Sequence, residues 1–232
     1  VRFLSEQSVR VVVQARMGSG RLPGKVLADL AGHPMLEFVV RRLQAVDGCA
    51  EVLVATSTSP ADDVIDDFCS RLGVPCFRGS ETDVLGRYVA ATADLADDDI
   101  VVRATADNPL YCPVRTAAII AQHRHLAADY TCVENLSYVV PEVMQVAALR
   151  VMCRVASDAR WREHVTPYFR EAVHDFRVVA LPADWHGLRP EIRLTVDTPE
   201  ELNRMSGICR TLAHRDLLFP LEDVYSLLDA RH

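Results

Sequence analysis

The sequence predicts an α/β domain, a mostly parallel mixed sheet with helices on both faces. Short strand-like runs alternate with amphipathic helical stretches from residue 9 to about residue 127. Those runs are mostly apolar, as strands covered on both faces are. With 232 residues, half of them hydrophobic and a quarter charged, the chain can fill one sizeable core.

Val9–Gln14 reads as the first strand, followed by a glycine-rich loop. From Pro34, apolar residues at 35, 36, 39, 40, 43 and 46 make one helical face. Val52–Ala55 is the second strand. Ser59-Pro60-Ala61-Asp62 then supplies a cap residue, a proline at the first helical position and an acid in the first turn. Val64, Ile65, Phe68, Cys69 and Leu72 give that helix its buried face, and Gly73 stops it. After a third strand, Val74–Phe77, Ser80 is expected to cap a helix that buries Val84, Leu85, Tyr88 and Val89. Ile100–Arg103 is the fourth strand, and Pro113 opens a helix to about Ala127. The pattern loosens between Asp129 and Pro167, where short strand-like pieces and a helix near Ala147–Ala156 suggest an arm or lid (129–167) within a single domain (1–232). Phe176–Leu181 and Arg193–Val196 read as late strands. Asp197-Thr198-Pro199-Glu200-Glu201 starts a helix buried through Leu202, Met205, Cys209 and Leu212, and a helix at about Leu221–Ala230 follows.

Composition narrows the function. A net charge of −7 argues against a nucleic-acid partner. No apolar run approaches the roughly 18 residues of a membrane span, and no secretory signal is read at the N-terminus. Seven scattered cysteines without a C-x-x-C pair fit free thiols in a reducing, cytoplasmic setting and give no zinc pattern. His123 and His125 alternate on what reads as the polar end of a helix and are expected to be solvated.

The loop Gln14-Ala15-Arg16-Met17-Gly18-Ser19-Gly20-Arg21-Leu22-Pro23-Gly24-Lys25 carries three cations directly after a buried strand. Glycines let backbone N–H groups turn toward a ligand, and Arg16, Arg21 and Lys25 would neutralise a polyphosphate. Lys25 is the single lysine of an arginine-rich chain, which marks a place where a compact point charge is wanted. The loop is not a Walker A motif, because Ser19 and Val26 stand where the first glycine and the hydroxyl residue belong. It is not a dinucleotide fingerprint either, because Pro23 replaces the third glycine. In open parallel sheets ligands lie beyond the carboxyl ends of the strands. Asp107 and Asp197 follow two such ends, and the pair could hold Mg²⁺ together with substrate oxygens. Asp197 could instead cap the helix at Pro199, and Asp107 could close a turn before Pro109.

The loop, with Val54-Ala55-Thr56-Ser57, Phe77-Arg78-Gly79-Ser80, Asp83-Val84-Leu85-Gly86-Arg87-Tyr88, Asp107-Asn108-Pro109-Leu110, Glu163-His164-Val165-Thr166-Pro167-Tyr168 and Arg193-Leu194-Thr195-Val196-Asp197, resembles the spore-coat polysaccharide cytidylyltransferase family, related to the CMP-sialate and KDO cytidylyltransferases. The resemblance covers nearly the whole chain. It implies a nucleotide-diphosphosugar-transferase-like fold that binds CTP and moves CMP to a small anionic acceptor with release of pyrophosphate. Arg16, Arg21 and Lys25 would hold the triphosphate and act in catalysis. Ala15, Gly18, Ser19, Ser57, Ser80 and Arg87 would lie along the nucleotide, and Asp107 and Asp197 match the Mg²⁺ positions. Arg103, Asn108, Glu163, His164 and Arg193 fall in motifs near the expected acceptor side, where the acceptor is an acidic sugar or a hydroxyalkylphosphonate of secondary metabolism. Gly20 stands where threonine is usual, and Ala106 where glycine is usual. An idle nucleotide-binding module and a glycosyltransferase of the same fold compete with this reading. For the latter the D-x-D spacing occurs only in Asp97-Asp98-Asp99, ahead of the fourth strand. Homodimerisation and fusion to another enzyme domain both stay open.

Overall fold

An interior strand of the sheet, β1 (Val9–Gln14), has Val9, Val11, Val12 and Val13 fully buried, as a mostly apolar run covered on both faces requires. The computed structural model describes residues 7–135, 138–171, 175–213 and 216–230. After the cationic loop, a two-residue hairpin of β2 (Asp29–Leu30) and β3 (His33–Pro34) leads into α1 (Met35–Gln44). Then come β4 (Glu51–Ser57), α2 (Asp63–Leu72), β5 (Cys76–Gly79), α3 (Val84–Ala90), β6 (Ile100–Thr105) and α4 (Pro113–His125). The chain continues through β7 (Tyr130–Val133), β8 (Glu142–Gln145), α5 (Val146–Val155), α6 (Ala159–His164), α7 (Pro167–Glu171), β9 (Val178–Leu181), α8 (Pro199–Leu212) and α9 (Leu221–Asp229).

Seven strands form one sheet in the order β5-β4-β1-β6-β8-β7-β9. The β1–β4, β1–β6, β4–β5 and β7–β9 pairs are parallel, while β8 runs antiparallel to both neighbours. Register pairs Gln14 with Ala55 and with Thr105, so the loops after β1, β4 and β6 leave the sheet side by side. Alternation along β1 splits the core in two. Val9, Val11 and Val13 pack with Phe38, Ile119 and Met205, whereas Val12 packs with Tyr88, Leu149 and Phe169. Helices therefore cover both faces, as the sequence predicts.

Four local expectations change. The strands β7 and β8 sit inside the main sheet, so those parts of 129–167 are not an arm; α6 packs against α3, and Phe169 of α7 stacks on Tyr130 of β7 with ring centroids 4.8 Å apart. The segment Arg193–Val196 is extended but pairs with no strand. Its Val196 N–H donates to Asp107 O at 2.9 Å instead. Ser80 does not cap α3. Asp83 does, accepting from Gly86 N–H at 2.9 Å, while Ser80 Oγ accepts from Asp83 N–H one step upstream. Finally, His123 is buried at 1 % exposure, because α4 turns it onto β7, where Nδ1 lies 2.9 Å from Thr131 Oγ1. Among the described residues all seven cysteines are free, and no helix is long and apolar enough to cross a membrane.

Candidate active site

The cationic loop leaves β1 under tight control. Ala15 is buried and still bonds Ala55 O at 3.2 Å. Met17 N–H then donates to Asp62 Oδ1 at 2.7 Å, and the other oxygen of this buried carboxylate accepts from the Ser57 N–H and hydroxyl. The loop closes where Gly24 donates to Met17 O at 2.9 Å. Gly24 has φ 74°, a left-handed value that glycine adopts without strain. A single 3-10 turn follows and carries Lys25 inward.

There the two aspartates and the lysine meet. Lys25 Nζ donates to Asp107 Oδ2 at 3.0 Å, to Asp197 Oδ1 at 2.8 Å and to Val196 O at 2.9 Å. Lys25 is only 8 % exposed. Asp107 arrives on the turn after β6 and Asp197 on the extended segment before α8. The alternative of Asp197 as a helix cap does not hold. Thr198 caps α8 in a capping box with Glu201, whose Oε2 also accepts from the Asp197 N–H at 2.6 Å. That leaves the Asp197 carboxylate free to point into the site. Arg21 lies 3.0 Å and Arg193 2.8 Å from its second oxygen. Burial opposes the Asp197 charge, but Lys25, Arg21 and Arg193 outweigh it and hold the carboxyl below its usual range.

Two cavities converge on this cluster. One, of about 390 Å³, is walled by Arg16, Gly18, Ser19, Gly20, Arg21 and Lys25, with His164 on its rim. A side chain at Gly18 or Gly20 would meet nothing within 4 Å, so the bare loop backbone borders open space. The other, of about 230 Å³, is lined by Arg103, Asn108, Tyr138, Glu142 and Arg193 among others. Thr105, Asp107 and Asp197 line both, so contents of the two cavities would touch there. Arg103 Nη1 bonds Glu142 at 2.6 Å, and Glu142 also accepts from the Tyr130 hydroxyl and from Thr166 Oγ1 at 3.1 Å. Arg103 Nε and Asn108 Oδ1 are buried with no protein partner, which leaves one donor and one acceptor for a ligand. Arg193 is shared between Asp197, Glu201 and the face of Tyr138, 5.2 Å away.

Other nominated residues lie apart from Arg103. Glu163 sits 3.9 Å from Arg16, on the side of the larger cavity, and its neighbour His164 lines that cavity too. Ser57, Ser80 and Arg87 line neither cavity; they cluster beyond the ends of β4 and β5. Arg87 is 1 % exposed, donates from Nη1 to Ser80 O at 2.9 Å, and keeps Nε and Nη2 unpartnered. Burial lowers its pKa. Gly79 packs closely over it: a Cβ there would lie 3.0 Å from both Arg87 Cγ and the Phe77 ring, tighter than ordinary contact.

Sequence reasoning did not single out Asp62, Thr105, Tyr111, Tyr138 or Glu142. Asp62 was visible only as a first-turn acid of α2, and Glu142 had no motif around it at all. The acidic run Asp97-Asp98-Asp99 lies at the opposite end of β6, where Asp97 holds Arg150 and Asp99 accepts from the Ser8 and Ala96 N–H groups. A glycosyltransferase D-x-D site would need those carboxylates at the cavities.

Among the described residues no three His, Cys, Asp or Glu side chains are grouped to hold a metal alone. Asp107 and Asp197, both within 3.0 Å of one ammonium, do suit a hard cation that takes its remaining oxygens from a bound phosphate.

Residues 10–218 match the family model described as cytidylyltransferase. The chain is 32 % identical over 210 residues to the spore coat polysaccharide biosynthesis protein SpsF of Bacillus subtilis (strain 168), covering 88 % of this chain and 87 % of that protein. It is 31 % identical over 171 residues to the 3-deoxy-manno-octulosonate cytidylyltransferase of Acidobacterium capsulatum, covering 73 % of this chain and 68 % of that one. A cytidylyltransferase structure from Leptospira borgpetersenii superposes with a TM-score of 0.88 at 24 % identity, covering 97 % of this chain and 95 % of that chain. With its loop, its paired aspartates and its sheet order all in place, the chain belongs to the cytidylyltransferase family.

Proposed function

We propose that the protein transfers CMP from CTP to a small acidic sugar and releases pyrophosphate. The observation that carries this is the Lys25 ammonium, held by both Asp107 and Asp197 at the junction of the two cavities. The larger cavity, with its three cations, has the chemistry of a triphosphate site. The smaller one presents Arg103, Asn108 and Arg193 to an acceptor that carries an acid group and hydroxyls. The octulosonate cytidylyltransferase among the relatives favours an acidic sugar over a hydroxyalkylphosphonate.

In this reading an acceptor oxygen attacks the α-phosphorus of CTP in line and pyrophosphate leaves. The chain forms no covalent intermediate. Its work is to align the two reactants across Thr105, Asp107 and Asp197 and to neutralise the leaving phosphates with Lys25, Arg16 and Arg21. Mg²⁺ held by Asp107 and Asp197 would supply further neutralisation of charge on the phosphate oxygens. The Arg87 cluster would support the cytidine side.

The test is pyrophosphate release by the purified protein from CTP and Mg²⁺ with a panel of acidic sugars and hydroxyalkylphosphonates, the CMP-linked product being identified by ³¹P NMR. Release that needs both CTP and an acidic sugar is the expected result. Release only with a phosphonate would move the acceptor class, and no release with any member would leave a nucleotide-binding module.

A further inference from the structure

The same two carboxylates that suit a divalent cation are already satisfied by a cation of the chain itself. Lys25 Nζ lies 3.0 Å from Asp107 and 2.8 Å from Asp197, and its third donor goes to Val196 O at 2.9 Å. The side chain is 10 % exposed, and the Arg21 and Arg193 guanidinium groups lie against the second oxygen of Asp197. A metal entering here would have to displace a hydrogen-bonded ammonium or sit beside it, and like charges at that range repel strongly. Lys25 also borders the larger cavity, so a polyphosphate arriving there offers it replacement oxygens.

We infer that Lys25 is a built-in stand-in for the divalent cation, so that Asp107 and Asp197 become a metal site only after a nucleoside triphosphate draws the ammonium away. This rests on the reading of Asp107 and Asp197 as the metal pair under the proposed function, and goes beyond it by fixing the order of loading: nucleotide first, or nucleotide and metal together, never metal alone. Lys25 thereby has two positions. It holds the two carboxylates in register while the cavity is empty, and it carries phosphate charge when the cavity is filled.

The experiment is calorimetric titration of Mn²⁺ into nucleotide-free protein, with wild type, Lys25→Met and Lys25→Met/Asp107→Asn compared. Removing the ammonium is expected to tighten Mn²⁺ binding by about tenfold or more, since a full charge leaves the site. The Asp107→Asn change should abolish that gain. Lys25→Gln, a neutral polar side chain, gives the same reading if Lys25→Met does not fold by circular dichroism. A parallel titration with a non-hydrolysable CTP analogue bound separates the two ideas. If Asp107→Asn and Asp197→Asn weaken Mn²⁺ binding in that complex while Lys25→Met and Lys25→Gln leave nucleotide-free binding at the wild-type value, the metal pair stands and the gate is overturned. If the aspartate changes leave Mn²⁺ binding in the analogue complex intact, the metal pair is wrong and the gate falls with it.

Discussion

Met17 and Asp62 are joined by a 2.7 Å hydrogen bond from a backbone N–H to a buried carboxylate, and this one contact fixes where the cationic loop begins. The same carboxylate satisfies the Ser57 N–H and hydroxyl. Replacing it strands three donors, the two of Ser57 buried and that of Met17 partly so, and each unsatisfied buried group costs about 1–3 kcal/mol. Asp62→Ala should therefore lower the midpoint of thermal unfolding and also weaken nucleotide binding, although Asp62 lines neither cavity. Thermal denaturation with and without CTP checks this. An Asp62→Ala protein with normal CTP affinity would show that the loop does not depend on this anchor.

Lys25→Ala should depress kcat by about a hundredfold or more while changing the KM for CTP less, because its charge acts where negative charge gathers on the leaving phosphates. Arg21, whose side chain is 66 % exposed, should behave differently. Arg21→Ala removes a more exposed cation of the same wall and is expected to lower kcat less than Lys25→Ala, with a larger share of its effect in KM. Steady-state kinetics of both variants under saturating acceptor separates the roles, and equal effects on kcat would erase the distinction.

Much of this arrangement was legible from the residues. The valine run of β1, the helical faces of α1 and α2 and the loop cations each depend on local pattern, and local pattern survives folding. The pairing of Asp107 with Asp197 was readable because both follow extended segments that end on the same side. What could not be read was set by tertiary contact. Whether Asp197 or Thr198 caps α8 turns on a Glu201 carboxylate that reaches both backbone N–H groups. The short strand-like pieces between Asp129 and Pro167 read as an arm, and their place in the main sheet follows from β8 pairing antiparallel with β6, which local pattern does not carry. The burial of His123 depends on Thr131 of β7, a tertiary partner that the pattern of α4 alone does not show. Glu142 had no signal at all, since a lone glutamate after a proline reads as solvated until Arg103, Tyr130 and Thr166 are seen around it.

Glu142 and Arg103 should prove energetically coupled. Their salt bridge is 2.6 Å long with both side chains largely buried, at 10 % and 16 % exposure. Removing one partner of such a pair costs about 3–5 kcal/mol, chiefly because the other charge is left buried and unpaired. Glu142→Gln and Arg103→Gln should each destabilise strongly, and the double substitution should cost less than their sum, with a coupling of about 1–3 kcal/mol. A double-mutant cycle by urea unfolding measures it. Additive effects would mean that the two residues contribute to stability independently.

His123 gives the fold a pH dependence of its own. Burial lowers its pKa from 6.5 to about 4, against weaker upward contributions from Gln145 and Asp129 and a downward one from Arg124. Between those values the unfolded chain takes up a proton that the folded chain refuses. Stability is therefore full above about pH 6.5 and declines as pH falls toward about 4, with a slope of at most about 1.4 kcal/mol per pH unit from this group. Asp197 acts in another window. Its carboxyl is held below the usual range, so its contribution is lost only at more acid pH. Urea unfolding of wild type and His123→Gln at half-unit steps from pH 7 to 4.5 isolates the histidine. The variant should lose the slope over that range; a slope that persists in His123→Gln would assign the acid sensitivity to other groups.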